Sequence, residues 1–149
     1  MDQFWNTLPA MTRYPFITLP LAVMIVRIMT AVFFMAHAGV RIANGTIPRF
    51  GAFMEAAGFP YGIQLVWLIT LSELIAGTLL ILGLYVRWAT IPLLVIASMG
   101  IVIIHRHAGW FVGEHGTGGS EYSVALILLL LIVAASDRSS STKMDRNGA

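Results

Sequence analysis

The chain has no cysteine among its 149 residues. That excludes disulfides, thiolate metal sites, cysteine-held iron–sulfur clusters and persulfide chemistry within it, so any such redox chemistry would belong to a partner. Charge is nearly as scarce: Asp, Glu, Lys and Arg make up 11% of the residues against 58% hydrophobic ones, and the mean hydropathy is +0.82. This balance excludes an ordinary soluble domain and marks an integral membrane protein. The net charge of +2 arises from too few groups to point to nucleic acid or acidic substrates. The opening MDQFWNTLPAMTRYPF lacks the basic start and short apolar core of a cleaved signal, and is expected to be retained as an interfacial lead-in.

What the chain does have is apolar length. Each crossing of a bilayer takes about 20 helical residues, so a chain of this size holds about four. Spans are predicted at residues 20–43, 62–86, 88–107 and 120–136, giving one transmembrane domain over 1–137 and a polar, disordered, cytoplasmic tail over 138–149. The expected fold is an all-α, integral membrane four-helix bundle. Pro20 suits the first turn of span one and Pro92 the opening turn of span three, where a missing N–H costs least. Between spans one and two, residues 49–57 fit a short interfacial helix with Phe50, Phe53, Met54 and Ala57 on one face. The loop between spans two and three is expected to be a few residues around Arg87, which makes those helices antiparallel neighbours. With both termini cytoplasmic, Arg13, Arg87, Arg138, Lys143 and Arg146 lie inside, against Arg41, Arg49 and Arg106 outside.

Glu73 stands inside the apolar run ITLSELIAGTLLILGLYV. A carboxylate at the centre of a hydrocarbon slab costs several kcal/mol, so it must pair, protonate or face a polar interior. Counted from the cytoplasmic ends, Arg27 lies roughly 10 Å deep and Glu73 roughly 20 Å, a gap that a long arginine partly closes. The expectation is an intramembrane Arg27–Glu73 ion pair. Its plain role is to fix helix register; its sharper role makes Glu73 a proton acceptor beside a quinone or substrate cavity.

The four histidines gather toward one membrane face. His37 and Arg41 are one helical turn apart near the outer end of span one, His105 and His107 close span three, and His115 follows in a glycine-rich loop. A quinone headgroup could accept hydrogen bonds from a histidine and from a tyrosine such as Tyr122. Haem or metal held by His37 with His105 or His107 is not favoured, because no HxxxH or ExxH pattern is present. Glu121 and Tyr122 open span four, where a carboxylate complements the helix dipole and a tyrosine anchors the interface. Small residues such as Ser72, Ala76, Gly77, Gly83, Ala97, Ser98 and Gly100 allow close helix approach.

The order of these features, over roughly residues 20–137, resembles the DoxX family of small bacterial membrane proteins. HAGVR at 37–41 resembles its histidine–glycine–basic signature, and FMEAAGFP its loop segment. SELIAGTLLILGLYVR resembles its glutamate-bearing second span. HAGWF and SEYSVALILLLL are similar to the exit of its third span and the entry to its fourth. A closing aspartate, here Asp137, is also similar, although AAS replaces the usual glycine-rich turn before it. His37, Gly39, Arg41, Glu73, Arg87, His107, Glu121 and Tyr122 match the pattern.

The family takes its name from a small subunit of a membrane thiosulfate:quinone oxidoreductase. The resemblance therefore implies an accessory or quinone-facing subunit of a redox system in the bacterial inner membrane, working with lipid, a redox partner protein or further copies of itself. In that reading Glu73 bounds a cavity at depth, together with Arg27 on the depth argument alone, and His37, Arg41, His107, Glu121 and Tyr122 lie nearer the outer face. A non-catalytic scaffold or assembly factor is the main alternative. A small-solute transporter ranks last, since no internal repeat or broken-helix pair is visible.

Overall fold

The computed structural model describes residues 16–104, 109–111 and 119–147, with side chains as far as Asp137. Five helices follow in chain order: α1 (Leu19–Ala43), α2 (Ile47–Ala56), α3 (Gly62–Leu82), α4 (Val86–Ile103) and α5 (Glu121–Asn147). Among the described residues, α1, α3 and α4 are long and apolar enough to cross a membrane. The apolar first part of α5 packs beside them. Helices α1, α3, α4 and α5 close a ring in which each touches the next, and α2 packs on α3.

Helices in lipid gain little from hiding apolar surface from one another, so close packing of small residues must hold them together. The interior shows that pattern: Ala31, Ala76, Ala89 and Ala97 are buried in one core with Phe34, Leu80, Leu93 and Leu130. Gly77 lets α1 approach α3, because an added Cβ would run into Met35. Arg27 lies against Gly83, Ala31 and Met35 against Gly77, and Arg41 against Thr70. Rising numbers on α1 thus meet falling numbers on α3, and the two helices are antiparallel.

Several local boundaries differ from the sequence reading. Helix α3 stops at Leu82, where Gly83 turns left-handed with φ 72° and Leu84 and Gly83 donate back to the carbonyls of Leu79 and Leu80. The turn into α4 is therefore Gly83 to Tyr85, and Arg87 sits in the first helical turn instead of in the loop. Because α4 begins at Val86, Pro92 falls inside it, where its ring leaves the Trp88 carbonyl without the usual i+4 donor. Helix α5 runs through the serine-rich segment to Asn147, where the sequence predicts a disordered tail; no proline or glycine lies between Ala134 and Asn147 to stop it.

Helix α2 buries a face shifted from the one expected. Met54 and, in part, Phe50 turn inward as predicted, but they do so with Ile47 and Gly51, while Phe53 and Ala57 are exposed. The seam is close: a Cβ on Gly62 would strike the carbonyl oxygen of Gly51. Oε1 of Glu55 accepts a hydrogen bond from the Gly62 backbone N–H at 3.1 Å, capping α3 from α2. Ile47, Met54 and Val66 form a second small core with Phe50, Phe59, Leu65 and Ile103 around it.

Candidate functional site

Glu73 lies midway along α3 and is only 3% exposed. Its Oε2 accepts a hydrogen bond at 2.8 Å from Nη1 of Arg41, in the last turn of α1. The same nitrogen donates to Oγ1 of Thr70 at 2.7 Å, and the Thr70 hydroxyl donates to the Val66 carbonyl at 2.7 Å. The Arg41 guanidinium carbon stands 5.4 Å from the centre of the Phe50 ring, so α2 adds a cation–π contact. Arg41 is thereby held from three sides. A buried carboxylate needs such a partner because its desolvation is recovered only by a close opposite charge and good hydrogen bonds.

This pair forms part of the wall of a cavity of about 360 Å³ inside the bundle. Most of the lining is apolar, from Phe34 on α1, Leu65 and Ile69 on α3, Ile96 and Met99 on α4, and Leu126 on α5. Phe50, Met54 and Phe59 cover its α2 side. Polar groups converge on it from Arg41, Glu73, His37, Tyr122 and Ser123. The His37 and Tyr122 rings lie 6.3 Å apart at 53°, and Phe33 meets Tyr122 edge-on at the same distance. Among the described residues, no hydrogen bond reaches Oε1 of Glu73. A mainly apolar chamber with a few placed donors and one carboxylate suits an apolar ligand carrying a polar end.

The DoxX family model matches residues 22–106, from the second turn of α1 past the end of α4. The chain belongs to the DoxX family. The matched segment contains both Arg41 and Glu73, while Glu121 and Tyr122 lie beyond it. No curated protein and no solved structure matches the chain.

In this DoxX protein four of the residues singled out from sequence, Glu73, Arg41, His37 and Tyr122, line one cavity. The expected Arg27–Glu73 ion pair is not formed; Arg41 is the partner of Glu73. Arg27 instead packs on Gly83 at the C-terminal end of α3, where an added Cβ would lie 3.2 Å from Nη1. Gly83 is ten residues beyond Glu73, about 15 Å along the helix. An arginine side chain leans toward the N-terminal end of its own helix, which carries Arg27 away from Glu73.

Glu121 opens α5 beside Tyr122 without lining the cavity, and its backbone N–H donates to the Trp110 carbonyl at 3.1 Å. Gly39 is exposed on α1. His105, His107 and His115 lie outside the described residues. The sequence reading missed Thr70, and it gave Phe50 only an interfacial place and not its contact with Arg41. Thr70 was detectable as the polar residue one turn before Glu73, on the same face.

Proposed function

We propose that the cavity takes the headgroup of a membrane quinone, and that the protein serves as an accessory or quinone-facing subunit of an oxidoreductase system in the bacterial inner membrane, with both termini cytoplasmic. The observation that carries this reading is the Glu73–Arg41 pair in the wall of an otherwise apolar cavity. A quinone ring has apolar faces and two carbonyl oxygens that accept hydrogen bonds. The N–H groups of Arg41 beyond Nη1 and the Tyr122 hydroxyl are the donors suited to them. Glu73 is the group suited to accept a proton from a reduced headgroup. His37, beside Tyr122, and His107 are further donors in this reading. The pair is close to neutral overall, which favours an uncharged ligand over a free anion. The absence of cysteine argues that electrons come from a partner protein.

The test is purification of the tagged protein from its native membrane in mild detergent, with quinone quantified in the lipid extract and co-purifying proteins identified. Stoichiometric quinone together with a flavin-, haem- or iron–sulfur-bearing partner is the expected result. Protein free of quinone and of any redox partner contradicts the proposal and moves the weight to a scaffold.

A further inference from the structure

Residues that line the cavity also show on the outside of the bundle along two seams, and the chemistry of the seams differs. On the seam between α1 and α5 stand His37 and Tyr122, the imidazole and phenol rings 6.3 Å apart. The seam between α3 and α4 is bordered by hydrocarbon. Val95 and Met99 both line the cavity and show 56% and 38% of their surface to the outside. A side chain that is at once inner wall and outer surface marks a place where the wall is one residue thick.

Leu65 and Ile69 face this seam from α3. Leu65 packs on the small core of Ile47, Met54 and Val66, which Ile103 of α4 also joins, and Ile69 follows one turn later on the same stripe. The opposite flank of α3, with Thr70 and Gly77, meets Arg41, Met35 and Ala31 of α1. Leu65 and Ile69 are therefore on the α4 side, and both line the cavity. The outer surfaces of the two helices carry Trp67, Leu68, Ile91 and Val102, all exposed, so lipid lies directly outside.

A chamber of about 360 Å³ accommodates a substituted ring but not a polyprenyl chain as well, so the tail of a bound quinone must leave it. The geometry points to a lateral portal between α3 and α4, framed by Leu65, Ile69, Val95 and Met99, through which the headgroup enters from the bilayer and in which the isoprenoid tail stays. This inference rests on the quinone reading. Such a route keeps the tail in hydrocarbon throughout, whereas the α1–α5 seam would draw it past an imidazole and a phenol.

Two photoreactive quinones test it on the full chain reconstituted in liposomes, with cross-links located by peptide mass spectrometry. One carries its azide on the ring and the other at the end of a short alkyl tail. The ring probe is expected to label residues around Glu73 in a manner competed by unlabelled decylubiquinone. The tail probe is expected to label residues 65–69 and 95–99. Tail cross-links at His37 or Tyr122 overturn the portal and leave the quinone reading standing. A ring probe without competable labelling overturns both. Met99→Trp narrows the portal and slows ring labelling, while Leu128→Trp, exposed on α5, leaves it unchanged. A Met99→Trp protein labelled at the wild-type rate counts against the portal.

Discussion

Arg41 holds Glu73 by a 2.8 Å ion pair that ties the last turn of α1 to the middle of α3, and Thr70 shares the same guanidinium nitrogen at 2.7 Å. The pairing follows from an offset between the helices. Helix α3 starts about 12 Å before Thr70, and α2 packs along these early turns. The end of α1 therefore meets α3 two turns into its length, level with the carboxylate.

Breaking one side of a buried pair leaves the other charge uncompensated. Arg41→Met is expected to destabilise the protein by about 3–5 kcal/mol, and Glu73→Gln, which keeps an acceptor for Nη1, by less. The double change Arg41→Met with Glu73→Leu should recover much of the loss. Thermal unfolding in detergent measures all three, and a double variant no more stable than Arg41→Met alone would be inconsistent with the pairing.

Arg27 is independent of this network. In a double-mutant cycle Arg27→Met and Glu73→Gln should be additive to within about 0.5 kcal/mol, because the groups share no partner. A coupling energy well above that would restore the Arg27–Glu73 pair expected from sequence.

The α2–α3 seam admits no side chain at Gly62. Gly62→Ala pushes a methyl group against the Gly51 backbone and should cost about 1–3 kcal/mol. Gly39, exposed on α1 with nothing within 4 Å of an added Cβ, is the control. Gly39→Ala should leave stability unchanged or raise it by up to about 1 kcal/mol. Equal melting temperatures for the two variants would argue against the close seam.

A chain without cysteine is suited to single-cysteine mapping. Ala97→Cys faces the cavity and should react with N-ethylmaleimide in reconstituted protein, whereas Leu93→Cys, one turn earlier and fully buried, should not. Comparable reaction rates at both positions would mean that no cavity separates them.

The helices and their order were legible in the sequence because Gly, Pro or Asn separates the long apolar runs from one another; the end of α5, which has no such residue after its apolar run, was not. Glu73, His37, Arg41 and Tyr122 stood out as polar groups in or beside apolar runs, and the bundle brings them to one chamber. The partner of Glu73 was not legible. Counting depth from the cytoplasmic ends treats neighbouring spans as level and side chains as radial, and both assumptions fail for Arg27. The buried face of α2 was only half visible, through Phe50 and Met54, since Gly51 carries no hydrophobic signal and matters only through the space it leaves. The position of Pro92 shifted because the αL turn at Gly83 starts α4 earlier than its apolar run suggests.

Equilibrium binding of decylubiquinone to the reconstituted protein, comparing wild type with Gly100→Phe, tests whether the cavity holds a quinone. Gly100 lines the cavity and has nothing within 4 Å of an added Cβ, so a ring there grows into the chamber without a backbone clash. Saturable binding near one quinone per chain in the wild type, lost in a Gly100→Phe protein that still folds, is the predicted result. Absence of saturable binding to the wild type, or unchanged binding to Gly100→Phe, would contradict the assignment of this cavity to a quinone.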